Sequence, residues 1–223
     1  MYASGSISRA TILELLSNMA REVELTASVA ERVLKSKGFT AAVLDKLSRQ
    51  DVKMLKDKAE NFRRRLLEYM ANGRVEVVGF KEFYVAVALA IESAALKLDA
   101  AVYRLFLLAS QNGPVEGDLA EVYLTLLARV RDAAGFLTDM VRLIGSLHSE
   151  MRKRFSELET RLSQVESDAD ADYRRALAVV IDAYKDSASG LILTKEAADH
   201  LEDAVDALYN AGNYVAVIAR AEV

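Results

Sequence analysis

The stretch SQNGPVEGD, residues 110–118, interrupts a long run of helical sequence near the middle of the chain. It holds Pro114, the only proline among the 223 residues, together with two of the ten glycines. Proline and glycine end helices because proline lacks a backbone N–H and glycine tolerates turn conformations. The stretch therefore divides the chain into two halves of similar length.

The composition favours helices on both sides of this division. A β-rich protein of this size needs more turn residues than ten glycines and one proline. Hydrophobic residues make up 52% and charged residues 28%, the balance of an ordinary soluble protein. The formal net charge of −4 gives no reason to expect nucleic acid as a partner. Because the chain has no cysteine, disulfides, thiolate metal sites and cysteine nucleophiles are excluded.

Apolar residues recur at spacings of three and four almost everywhere, as in Ile12, Leu16, Met19 and Val23. The breaks between these stripes predict an all-α protein with six long helices, at 7–36, 40–72, 80–110, 117–147, 150–185 and 191–221. Because the connections are short, consecutive helices are expected to be antiparallel neighbours. At residue 147 the pattern fits either a turn or a bend.

The two halves carry similar motifs 110 residues apart. Helix five holds E-x-x-A-D at 166–170, and helix two holds K-x-x-A-E at 56–60. Helix six holds L-E-x-A-x-D at 201–206, and helix three holds I-E-x-A-x-L at 91–96. The same shift on two helices predicts two tandem three-helix repeats that together form one elongated domain. The predicted repeats span 1–112 and 117–223.

Four acidic residues crowd into the stretch VESDADADYRRAL, residues 165–177. Carboxylates four apart on a helix lie on one face, so they repel unless a cation joins them. Helices five and six each carry such a pair beside an apolar stripe: Glu166 with Asp170, and Glu202 with Asp206. If these helices pack antiparallel, the pairs meet and suit a cation such as Mg²⁺, Mn²⁺, Fe²⁺ or Zn²⁺. The alternative is a solvated helix face, the more common role of an acidic pair.

Other metal motifs fit less well. Only two histidines are present, His148 and His200, and the Glu-x-x-His pair of di-iron bundles is absent. An EF-hand loop beginning at Asp168 would place Tyr173 at its glycine position and Val179 at its glutamate position, so that motif fails. His200 is expected at the surface, pointing away from the neighbouring acidic pair.

The pattern E-x-x-A-D on one long helix and L-E-x-x-x-D on the next resembles the PhoU superfamily, in particular its short branch, the PhoU-like phosphate transport regulators. The resemblance covers the whole chain in length and helix order and is specific over about 165–217. It implies a PhoU-like bundle that binds iron, zinc or manganese and acts with a phosphate transporter or a phosphate-signalling protein. By this resemblance Glu166, Asp170, Glu202 and Asp206 are the candidate metal ligands.

The first repeat departs from this pattern. Lys56 stands in place of the first acid, and Glu60 replaces the aspartate. Glu92 is retained, but Leu96 replaces the second aspartate. Glu60 and Glu92 are thus degraded equivalents of metal ligands. An i,i+4 ion pair between Lys56 and Glu60 is expected instead.

The leading hypothesis is a non-enzymatic regulatory or adaptor protein of phosphate uptake. No P-loop, nucleophile motif or general base indicates catalysis. Two alternatives stay open: a metal-dependent hydrolase acting on a phosphate compound, and a metal-free helical scaffold.

The location of the protein is predicted from its apolar segments. The N-terminal sequence lacks the pattern of a signal peptide. The most apolar stretch, residues 83–91, is far shorter than the roughly 20 residues that span a bilayer. The chain is therefore expected to be cytoplasmic and peripheral to a membrane at most, with a homo-oligomer left open.

Overall fold

The computed structural model describes residues 2–71, 80–145 and 149–221, with side chains from residue 9 onward. Its helices are α1 (Tyr2–Lys37), α2 (Ala41–Lys46), α3 (Lys53–Ala71), α4 (Lys81–Asn112), α5 (Gly117–Ile144), α6 (Ser149–Tyr184) and α7 (Ala188–Ala221). A π-helical turn, Leu47–Val52, joins α2 to α3, so these two form one interrupted rod. The prediction of an all-α protein built from six long rods is confirmed.

The second rod departs from the continuous helix predicted for 40–72. Its buried apolar residues follow helical spacing up to Leu47 and again from Val52, but five positions separate these two. A turn with i→i+5 hydrogen bonds accommodates one extra residue. The π-helical turn thereby returns Val52 and Leu55 to the core while Gln50 stays exposed.

Four rods form the centre of the molecule. α1 packs against α5, α5 against α7, α7 against α4, and α4 against α1. α3 lies across the seam between α1 and α4, and α6 lies across the seam between α5 and α7. The α4–α7 pair is antiparallel, because Lys97 lies 2.6 Å from Asp203 and Arg104 lies 2.5 Å from Glu196.

One predicted neighbour pair is wrong, since α4 and α5 are consecutive but make no contact in the described ranges. The link between them, residues 113–116, begins at Gly113 with φ 88° and is followed by Gly117 with φ 60°. Val115 in this link is buried, and its N–H donates to the carbonyl of Phe39 at 3.2 Å. The link is thus held against the α1–α2 connection and carries the chain across the bundle.

α5 and α6 pack side by side, so they are two separate helices and not one bent helix. Arg129 of α5 lies 3.0 Å from Asp168 and 2.9 Å from Asp172 of α6. These contacts require the two helices to run side by side in opposite directions. The connecting residues 146–148, which include His148, lie outside the described residues.

The core between the rods is apolar. Its largest fully buried side chains are Tyr84 and Tyr123, and the Tyr123 hydroxyl donates to the carbonyl of Thr194 at 2.7 Å. No charged side chain in the described ranges is buried. None of the helices described combines the length and apolarity that crossing a membrane requires.

Candidate metal centre

Close packing of α6 on α7 positions the predicted acidic pairs. An added Cβ at Gly212 of α7 would lie 2.3 Å from Cδ2 of Leu162, so only glycine permits this approach without a shift. Further along the seam, the hydroxyl of Tyr173 donates to the carboxylate of Asp199 at 2.7 Å. These contacts fix the register in which acids of α6 face acids of α7.

Glu166, Asp170 and Asp206 form an acidic triad on this seam. One carboxylate oxygen of each lies within 4.8 Å of those of the other two, and all three residues are half-buried. Oxygen ligands at about 2.1–2.4 Å from a divalent cation lie about 3–4.5 Å apart. Small side-chain rotations would therefore close the triad around a cation. In the described ranges no other three acidic or histidine side chains come this close.

Glu202, the fourth predicted ligand, lies beside the triad and not within it. Burial raises its pKa to about 7, assisted by the charge of Asp206 and of three further aspartates. Burial also raises the pKa of Asp206, and the negative charges of Glu166 and Asp170 raise it further. These shifts show that the charged forms are disfavoured here, and a bound cation would relieve that cost.

The triad has little neutralisation from the protein itself. Arg174 approaches Asp170 at 3.3 Å, but its side chain is exposed and the pair is weak in solvent. In the part of the chain that the structure describes, Glu166, Glu202 and Asp206 take part in no ion pair. The site is therefore left with a surplus of negative charge.

The other two acids of the DADAD stretch have a structural role. Asp168 and Asp172 face α5, where the guanidinium of Arg129 binds both. Helix residues two apart point about 200° apart, so the stretch divides between two faces. Sequence analysis missed Arg129. The signal was the i,i+4 spacing of Asp168 and Asp172, which marks a second acidic face in need of a cation.

The degraded positions of the first half form no equivalent cluster. Glu92 is bound by Arg63 of α3, whose Nε lies 2.7 Å from Oε2. The hydrogen bond and charge of Glu92, with a smaller contribution from Glu60, raise the pKa of Arg63. Glu92 is therefore already neutralised by a cation of the protein.

The predicted ion pair between Lys56 and Glu60 does not form. The Lys56 ammonium lies 4.0 Å from Asp99 instead, because α4 packs beside α3 and offers that carboxylate. Leu96 is exposed at the position where the motif would require an acid.

His200 points away from the triad, as predicted, but is half-buried and not at the open surface. Its Nδ1 lies 3.9 Å from Asp203 on the α4 side of α7. Burial, and then the charges of Lys97 and Arg104, lower its pKa. The structure thus gives His200 no place among the ligands of the triad.

A scan of protein-family models finds no match to the chain. A search of curated proteins finds none either. The candidate site is therefore defined by its own geometry and charge, beside the motif resemblance.

Proposed function

We propose that this protein is a PhoU-like, non-enzymatic adaptor in the regulation of phosphate uptake, with a divalent metal ion bound at the α6–α7 seam. The observation that carries the proposal is the triad of Glu166, Asp170 and Asp206. The motif resemblance supports the phosphate role, and the triad supports the metal role.

The donor set fits a hard or borderline cation. It consists of carboxylate oxygens alone, which suit Mn²⁺ and Fe²⁺ and are accepted by Zn²⁺. Glu202 lies near enough for the charges of Asp206 and Asp170 to raise its pKa, so it is the natural fourth ligand. A cation here would replace the repulsion among these groups by attraction.

Tandem three-helix repeats are part of the proposal. The packing pattern of the two halves is the same. When α1 is exchanged with α5, the α2–α3 rod with α6, and α4 with α7, every packed helix pair becomes another packed helix pair. This supports a pseudo-two-fold relation in which α1 pairs with α5 and α4 with α7. Superposing residues 40–110 on 150–220 should bring Glu60 onto Asp170 and Glu92 onto Glu202.

Metal content of the purified protein tests the site. After incubation with Fe²⁺, Mn²⁺ or Zn²⁺, wild type should retain stoichiometric metal and the Asp170→Ala, Asp206→Ala double variant should not. Asp182→Ala is the control, because Asp182 lies on the same helix with its side chain in solvent. Negligible uptake by all three proteins would contradict the proposal.

The adaptor role is tested separately in cells. Phosphate uptake should change when the gene is deleted and return with wild type but not with the double variant. A phosphatase screen with Mn²⁺ or Zn²⁺ addresses the hydrolase alternative. Turnover that is lost in Glu166→Ala would show that the protein is an enzyme.

A further inference from the structure

Helix α4 carries a row of exposed apolar side chains on the face opposite the core. Leu89, Leu96 and Tyr103 are seven residues apart and 48%, 44% and 45% exposed. Helix positions seven apart differ in direction by only about 20°. The three side chains therefore form a line about 21 Å long. Ile91 and Leu98, on the other side of α4, are fully buried.

Closed ion pairs border this row on both sides. They are Arg63–Glu92 and Lys56–Asp99 towards α3, and Asp203–Lys97 and Glu196–Arg104 towards α7. In each pair α4 supplies the inner member, so the outer members are cations on the α3 side and acids on the α7 side. Each border is neutral as a whole, but the order of the two signs on the α3 border is the reverse of the order on the α7 border.

We propose that this face binds a second copy of the chain, with the two α4 helices side by side and parallel about a two-fold axis along the row. A seven-residue repeat keeps the apolar side chains on one face of α4 along the whole row, so the same row of a second copy can lie against it in register. Pairing would bury apolar side chains that otherwise remain in water.

The charges on the two borders select this occupant and this orientation. A parallel two-fold arrangement sets the α3 border of one chain against the α7 border of the other. Lys56, which is level with Asp99, would then lie level with the partner's Asp203, which is level with Lys97. An antiparallel arrangement would oppose like borders, cation to cation and acid to acid, and a partner of uniform charge could not match the alternating signs.

Self-association measured by light scattering over a dilution series tests the interface. Wild type should reach twice the chain's 24.5 kDa. Leu96→Asp places a charge at the centre of the row and should weaken the dimer at least about tenfold. Leu25→Asp is the matched control, because Leu25 lies on α1 and is 43% exposed. A wild-type monomer at every concentration, or equal association of all three proteins, would overturn the proposal.

Disulfide cross-linking tests the orientation, because the chain has no cysteine of its own. In the parallel dimer, Leu89→Cys alone and Tyr103→Cys alone should each form a covalent dimer under mild oxidation. Adding Leu96→Asp to Leu89→Cys should abolish its cross-link. Cross-links that form only when the Leu89→Cys and Tyr103→Cys proteins are mixed, or none at all, would overturn the parallel arrangement.

Discussion

Arg63 binds Glu92 across the α3–α4 seam at 2.7 Å, whereas the residues 110 positions later are Tyr173 and Glu202. Burial, with a hydrogen bond to Asp199, raises the pKa of Tyr173 to about 12, so it carries no charge at neutral pH. The acid of the first half thus has a cation from the protein, and the acid of the second half has none. This difference is the physical reason to expect metal at one seam and not at the other.

Tyr173→Arg should therefore close the second site. A guanidinium beside Glu202 would lower the pKa of that carboxyl and compete with a metal ion for its charge. Mn²⁺ affinity, measured by calorimetry, should fall at least about tenfold. Tyr173→Phe is the control, since it removes the hydrogen bond to Asp199 without adding a charge. Unchanged affinity in Tyr173→Arg would contradict the argument.

Without divalent metal, the free energy of unfolding should fall as pH rises from 4.5 towards about 7. The folded pKa of Glu202 is raised above its ordinary value of 4.5, so in this window the folded state binds more protons than the unfolded state. Each rise in pH then favours unfolding. Denaturant melts across the window measure the slope.

Two further measurements separate the contribution of Glu202 from the general pH dependence of stability. Glu202→Gln cannot ionise and should flatten the slope. Mn²⁺ added at the alkaline end of the window should restore stability, because it binds the ionised acids of the folded state alone. A wild-type protein that becomes more stable over the same range would show the raised pKa of Glu202 to be unimportant.

Arg129→Met should destabilise the protein by about 1–2 kcal/mol while leaving metal content unchanged. Within the described residues Arg129 is the only cation that binds Asp168, and its loss leaves Asp172 with the exposed Arg175. Arg174→Met is the control, because its exposed pair with Asp170 contributes little. Loss of metal in Arg129→Met would mean that the α5 and α7 faces of α6 are coupled.

Helical periodicity predicted the rods, but not how they pack. The spacing of apolar residues gives each helix its buried face, and this holds even where Leu47 and Val52 require a π-helical turn. It does not reveal which helix covers that face. The link at 113–116 is short enough for α4 and α5 to pack together, yet the contact between Val115 and Phe39 directs it elsewhere.

The candidate site was predictable to the extent that it depends on positions along one helix. The i,i+4 rule placed Glu166 and Asp170 on one face, and packing brought Asp206 to them. Contacts between helices were missed, as Arg63 with Glu92 and Lys56 with Asp99 show. Such pairs depend on the relative rotation of neighbouring helices, which no single periodic pattern specifies.

Gly212→Ala should loosen the α6–α7 seam and so weaken metal binding as well as stability. The added Cβ would meet Leu162, which is buried and cannot move aside without disturbing the core. Overpacking of this kind costs about 1–3 kcal/mol. Gly135→Ala in α5 should instead be neutral or stabilising, because its Cβ would meet only Glu24, at 3.5 Å.

The double variant Leu162→Ala, Gly212→Ala decides whether this close approach is the cause. Leu162→Ala alone should cost about 2–5 kcal/mol because it leaves a cavity. In the double variant the new methyl group enters that space, so its loss of stability should be smaller than the two single losses added together. Denaturant melts of the four proteins give this coupling directly. If the losses simply add, the effect of Gly212→Ala arises elsewhere, and the packing of α7 on Leu162 does not set the distance between the acids of the triad.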